Sequence, residues 1–387
     1  MNRLSLSFLM VCAAGCNSGS TPAPADAGRH DTGLVDAGTP DAGVGDVGAP
    51  DAGLADTGNE DAGDTGTTRV HFQSGFEPDT RVVTTRLTKC SNDLEGAQIT
   101  PSLSRSDWTS HLEATPLGTT RFCYGGADRC EAANEPNCQR GIELVDDPDD
   151  PSNTVLRTWL KEPAENVSDT DNQACSNSEG LDDRMARKAR VQMSIAAASP
   201  VNELTYSIRI KLSEEAFATL VREYPDRVRW MTLGEYWNNQ DNAAPNSQTF
   251  GDRSRVTLNV VNNGPNTPFR FGLKADWQAD GATGWTPTWH EPDGALVPIG
   301  SWFTLTVRLT AGDATRGRIV ITMTASSGEE TVLFDVAKAN QYPQGDVVGF
   351  THIQPIKLYT SGNLVCGLKR YNKTLEAWWD DLRVTIP

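Results

Sequence analysis

The 387-residue chain predicts an all-β fold, an antiparallel β-sandwich with one short helix, and three observations point there. Apolar residues alternate with period two through residues 155–160, 189–195, 204–212, 228–237, 256–261, 269–277, 302–309, 318–325 and 375–386, the pattern of strands with one buried face. These segments are rich in β-branched and aromatic residues, and clusters of Gly, Pro, Asn and Asp separate them. Helical character stands out once, at residues 214–222, where Ser213 is placed to cap and Glu214 and Glu215 suit the positive end of the helix dipole. Strands and helices do not alternate, which argues against a parallel α/β sheet.

Ahead of these strands lie two segments of different composition. Residues 1–15 hold Arg3 and then an apolar run too short to cross a bilayer, so they read as a cleaved signal peptide. Ala13-Ala14-Gly15-Cys16 resembles the lipobox of bacterial lipoproteins, which implies a diacylglycerol on Cys16 and a membrane anchor. Ser18, two residues after Cys16, by the same resemblance points to a surface-facing place on the outer membrane. From Asp26 to Asp61 an aspartate recurs every five residues, usually as Asp-Ala-Gly or Asp-Thr-Gly. Such a segment has nothing to bury and repels itself, so residues 16–68 read as a lipidated, disordered acidic tether and residues 69–387 as one globular domain.

Removing Cys12 with the signal and Cys16 to the lipid leaves Cys90, Cys123, Cys130, Cys138, Cys175 and Cys366, an even set that reads as disulfides in an exported protein. No Cys-x-x-Cys occurs, and the pairing stays open among the roughly 15 arrangements that six cysteines allow. Four of them fall between residues 87 and 150, a polar stretch with little periodicity that reads as disulfide-tied loops. The tether carries ten acidic residues and Arg29; setting aside its −9 and the +1 of Arg3 leaves −9 of the whole-chain −17 for the domain. A nucleic-acid partner is thereby excluded as a reading, and polyanions are disfavoured.

Short motifs frame the domain. Phe72-Gln73-Ser74-Gly75-Phe76-Glu77 and Trp378-Trp379-Asp380-Asp381-Leu382-Arg383-Val384 resemble the first and last strands of concanavalin A-like jelly rolls. Between them, Arg187-Lys188-Ala189-Arg190-Val191-Gln192, Gly300-Ser301-Trp302-Phe303 and Lys357-Leu358-Tyr359-Thr360 fall in the order seen in the heparin lyase I-like and alginate lyase-like polysaccharide lyases. That resemblance implies a jelly roll whose concave sheet presents Arg187, Arg190 and Gln192 near Glu235, Trp237 and Tyr359. The chain departs from the pattern in having Gln192 where an acid is common, and no histidine in residues 233–239.

Three functional readings follow. Polysaccharide recognition would draw on Trp237, Asn238 and Asn239, on Trp285 and Trp289 expected exposed in a turn-rich loop, and on Glu235 and Lys357. The alternative is β-elimination of a uronate glycan, with Arg187, Arg190 and Gln192 neutralising the sugar carboxylate and Tyr359 or His290 moving the protons. A structural or adhesive surface protein, monomeric in either case, is the third. Glu77, Asp380 and Asp381 bring acids from the two framing strands together, which calls for hydrogen bonds or a structural Ca2+. The anchor is tested by Cys16→Ser: the variant should leave the detergent phase for the aqueous phase, and a variant that still partitions with membrane would remove the lipobox reading.

Overall fold

The computed structural model describes residues 69–76, 80–84, 92–95, 119–123, 140–161, 188–224, 227–239, 253–279, 282, 284–291, 294–343 and 349–387; the signal, Cys16, the tether, Glu77 and Arg187 lie outside them. Two antiparallel sheets face each other. One runs in the order β15 (Glu330–Val336), β14 (Arg318–Ala325), β13 (Phe303–Thr310), β8 (Glu203–Leu212), β17 (Leu375–Ile386), β6 (Thr154–Leu160), β5 (Arg140–Asp146), and β1 (Arg69–Ser74) also pairs with β17. The other runs β12 (Thr286–Glu291), β11 (Arg270–Gln278), β10 (Arg253–Val261), β9 (Met231–Asn239), β16 (Phe350–Ser361), β7 (Lys188–Val201), β4 (Thr119–Cys123), β3 (Asn92–Glu95), β2 (Arg81–Thr84). All nine period-two segments form strands. The first and last strands lie side by side, with Phe72 opposite Val384.

The core is the alternate residues of both sheets. Ile208, Ile210, Leu305, Val307 and Ile321 meet Val191, Met193, Leu233, Tyr236, Leu258 and Phe271, all buried. Trp159 and Trp379 are fully covered as well, and the Trp379 indole donates to Thr158 Oγ1 at 2.9 Å. Two helices pack at the rim. In α1 (Glu214–Glu223), Ser213 caps by accepting from the Ala216 amide, and Phe217 and Leu220 turn inward. In α2 (Gly362–Arg370), Ser361 caps in the same way and every residue from Gly362 to Leu368 is buried.

Three expectations change here. The stretch 87–150, read as loops, carries β3, β4 and β5. The single expected helix has a companion in α2, whose two glycines weaken its helical signal while burial supplies what propensity does not. Residues 286–291, read as a turn-rich loop, form the edge strand β12. Of the six cysteines, Cys366 in α2 is buried and disulfide-bonded. The remaining cysteine side chains lie outside the described ones.

Simple alternation is broken at two places that matter for the outer face of the nine-stranded sheet. In β9 the partner of Leu258 is Gly234 while Asn259 pairs with Thr232, so one extra residue bulges out. Met231 and Leu233 face the core before it, and Gly234 and Tyr236 after it, which turns Glu235 and Trp237 outward. In β16 the register slips between Ile353 and Ile356, around Pro355. Proline cannot donate to a ladder, and inside a central strand it is accommodated at such a bulge. The extra residue puts Ile356 and Leu358 in the core and sends Lys357 and Tyr359 outward.

The β9 bulge sits over a tyrosine pair. Tyr206 and Tyr236 bring their hydroxyls to 2.8 Å within the core, and a Cβ on Gly234 would fall 2.8 Å from the Tyr236 oxygen and 3.1 Å from that of Tyr206. Gly234→Ala should therefore cost about 1–3 kcal/mol in chemical denaturation. A midpoint equal to that of the unsubstituted protein would show that the pair is free to move.

Candidate functional site

On the outer face of the nine-stranded sheet, polar side chains replace the apolar ones of the core side. β7 contributes Arg190, Gln192 and Ser194; β16 His352, Gln354, Lys357 and Tyr359; β9 Thr232, Glu235 and Trp237; β10 Arg253, Arg255, Thr257 and Asn259; β11 Lys274 and Asp276. Many of them are buried. Glu235 and Lys357 are each 1% exposed.

Glu235 is the junction. One carboxylate oxygen accepts from Lys357 Nζ, and the other from Arg255 at 2.9 Å. Lys357 also donates to Gln354 Oε1, whose amide nitrogen donates to Ser194 Oγ at 3.0 Å. Arg255 reaches on to Asp276 with its Nε at 2.6 Å. The chain of contacts thus crosses β7, β16, β9, β10 and β11. Burial by itself would raise the Glu235 carboxyl, but Lys357 and Arg255 outweigh it and hold the group at about 2. Burial brings the Lys357 ammonium down to about 8, with Glu235 opposing that fall.

Beside this junction the register forms a four-residue block. Lys357 is the cross-strand partner of Gln192, and Tyr359 that of Arg190. Directly opposed side chains of this kind stand about 5 Å apart at Cβ. Lys357 Nζ lies 5.0 Å from the centre of the Tyr359 ring, whose other neighbour is Trp230 at 4.9 Å. Arg190 is half-buried and makes no ion pair among the described residues, and the buried Oε1 of Gln192 has no hydrogen-bond partner. Further along, Thr232 donates to Asn259, which in turn donates to Thr257.

An aromatic group adjoins the charged floor. Trp237 stacks on His352 at 5.2 Å and 16°, Trp285 meets its edge at 5.5 Å, and the Arg255 guanidinium lies 3.8 Å from the Trp285 ring centre.

The structure therefore brings Arg190, Gln192, Glu235, Trp237, Trp285, Lys357 and Tyr359 to one face, and parts others from it. Asn238, next to Trp237, necessarily points the opposite way, where it is fully buried and donates to the Gly349 carbonyl. Asn239 belongs to β9, and its side chain lies outside the described ones. Trp289, expected exposed, packs on the core and donates to the Ala339 carbonyl at 2.6 Å. His290 pairs with Lys274 on the edge strand. Four strand steps separate it from Tyr359, roughly 19 Å at about 4.8 Å each, so it cannot share a proton relay with that tyrosine. Glu235 and Lys357, expected to touch ligand, spend their charges on each other and lie beneath the surface. Sequence reasoning passed over Arg255, His352 and Gln354. The signal available for Arg255 was its place on an amphipathic strand, which is also what a surface charge shows.

At the junction of the framing strands, Asp380 accepts from Arg209 and from Asn153, each at 2.9 Å, and burial raises its carboxyl to about 6. Asp381 is exposed with φ of 50°. The expected third acid, Glu77, lies outside the described residues, and among these no three potential ligands converge on a metal position.

No family model matches the chain, and no curated protein does. Among solved structures, the endo-beta-1,4-glucuronan lyase from the fungus Trichoderma reesei is similar with TM-score 0.38 and 12% identity, over 69% of this chain and 94% of that one. The PL-14 alginate lyase from Aplysia kurodai is similar with TM-score 0.36 and 9% identity, over 64% and 87%. The CBM2 module of the evolved Dit protein of Lactobacillus casei BL23 phage J-1 follows at 0.33 and 10%, over 69% and 89%. Likeness of this degree carries no argument about activity.

The Glu235 junction makes its own prediction. An unfolded glutamate titrates near its ordinary 4.5 and the folded one near 2, so its contribution is full above about pH 4.5 and lost as pH falls toward 2. Glu235→Gln should cost about 3–5 kcal/mol at neutral pH by leaving Lys357 buried without its counter-charge, and should flatten the acid limb of the stability curve. The double replacement Glu235→Met with Lys357→Met should recover most of the loss. A single variant as stable as the parent would show that water reaches the pair.

Proposed function

We propose that the polar face of the nine-stranded sheet binds a uronate-bearing polysaccharide, presented outside the cytoplasm by the lipidated tether. The observation that carries this reading is Arg190: a half-buried guanidinium with no ion-pair partner among the described residues, set beside Tyr359 and the unsatisfied Gln192 amide oxygen. A guanidinium fork fits a carboxylate in two-point geometry, and Gln192 adds an acceptor for a sugar hydroxyl. The local charge agrees. Among the described side chains of this face, Arg190, Arg253, Arg255, Lys274 and Lys357 outnumber Glu235 and Asp276, although the chain as a whole is at −17. The composition argument against polyanions therefore does not extend to this surface. Trp237 and Trp285 supply aromatic area beside it for a sugar ring.

A second reading, cleavage by β-elimination, is favoured by one feature, the phenol of Tyr359, whose residue is the cross-strand partner of Arg190 and whose ring centre lies 5.0 Å from the Lys357 ammonium. Arg190 would neutralise the carboxylate and acidify the neighbouring C–H; Tyr359 would take that proton and return one to the departing glycosidic oxygen, leaving a conjugated double bond.

One experiment addresses both. Uronate polysaccharides are titrated into the protein while binding and ultraviolet absorbance are followed. Uronate should bind, and Arg190→Ala should weaken binding at least tenfold, about 1.4 kcal/mol; unchanged affinity in that variant would remove the proposal. Growing absorbance would select cleavage, and its loss in Tyr359→Phe with binding kept would assign the proton transfers to the hydroxyl. Binding with flat absorbance would leave recognition alone standing.

A further inference from the structure

The outer face of the other sheet carries a cavity of about 430 Å³, a volume within the ordinary range of small-ligand sites. Three adjacent strands build its floor in register: Thr304 of β13 stands opposite Arg209 of β8 on one side and Thr324 of β14 on the other. Behind them Thr306 stands opposite Ser207 and Thr322, so the hydroxyl-bearing surface continues for a second row. Asp149, Trp302 and Ser326 close the rim.

Arg209 is fixed before any ligand arrives. It donates to Asp380 at 2.9 Å, lies 3.6 Å from Asp147, and spreads over the Trp302 ring at 4.2 Å, while the Trp302 indole donates to Asp147 at 3.0 Å. The Arg209 side chain keeps 29% of its surface, and with five N–H donors its guanidinium retains some for a ligand. Asp149, for its part, is paired with Lys211. Each cation at this cavity therefore has an acid, in contrast to the surplus of cations on the nine-stranded sheet. An anionic ligand would meet Asp147, Asp149 and Asp380; a cation would meet Arg209 and Lys211. What the lining offers is hydroxyl groups that both donate and accept, an oriented guanidinium donor and a carboxylate acceptor, the complement of paired hydroxyls on an uncharged sugar ring.

We propose that this cavity is a second carbohydrate site, separate from the uronate face and selective for neutral glycan. The full-length protein is titrated with neutral hexasaccharides of β-glucan, mannan and galactan type and with a uronate hexasaccharide. At least one neutral hexasaccharide should bind at millimolar concentration or below, broadening the Thr304 and Thr324 methyl resonances when it carries a spin label. Thr324→Arg and Ser326→Arg, which fill the cavity with charge, should each weaken that binding at least tenfold and leave uronate affinity unchanged, which also shows that the variants are folded. Arg190→Ala should leave neutral binding intact. Absence of neutral binding across the panel, binding that survives both arginine substitutions, spin-label broadening confined to other residues, or loss of neutral binding in Arg190→Ala would each overturn the proposal.

Discussion

A carboxylate at 1% exposure, shared between an ammonium and a guanidinium, is costly to bury, and the arrangement of the polar face follows from meeting that cost. Glu235 must have both cations, because either alone would leave one of its oxygens without a charged donor in a medium that screens poorly. Lys357 and Arg255 stand on the strands either side of β9, so the requirement pins three adjacent strands in one register. Asp276 on β11 and, through Gln354, Ser194 on β7 extend the demand by one strand on each side. Arg190 is left outside this closed set. It makes no ion pair among the described residues, whereas the charge of Arg255, equally cationic, is taken up by Glu235 and Asp276.

The network could form only because two strands abandon strict alternation. With period two kept throughout, Glu235 would share the core face with Met231 and Leu233, and Lys357 would share it with Ile353. Bulges at Leu233-Gly234 and at Pro355 add one residue each and turn both charges to the same side. Gly234 is suited to the first by lacking a Cβ that would meet two buried tyrosine hydroxyls, and Pro355 to the second by having no N–H to lose.

This also explains which parts were legible in the sequence. The nine period-two strands were, because one buried face imposes a pattern that composition alone can reveal. Arg190 and Gln192 were placed together by the resemblance of residues 187–192, and alternation along β7 keeps the two on one face. The junction was not legible: a strand pattern run through Gly234 or Pro355 assigns every later side chain to the wrong face, and Asn238 was misplaced for the related reason that neighbours in sequence point to opposite sides of a strand. His290 and Trp289 were read from local turn residues, and the pairing with β11 that makes them an edge strand is a long-range fact. The stretch 87–150 gave little periodicity, yet β5 is fixed there through its partner β6, with Leu144 opposite Leu156.

Net charge belongs to the same class of information, an average that the fold redistributes. Among the described residues, Asp147, Asp149 and Asp380 gather around Arg209 and Lys211, while on the nine-stranded sheet Arg255, Lys274 and Lys357 gather around Glu235 and Asp276, and Arg190 stands apart from them. The two outer faces of one sandwich therefore differ in kind although they are built from the same alternation. Among the described residues, one holds a charge that its own network does not use; the other has balanced its charges internally and presents hydroxyls. At short range the field at either face is set by the few charges nearest to it, with more distant ones screened over roughly 10 Å of salt solution, so the whole-chain figure of −17 describes neither face.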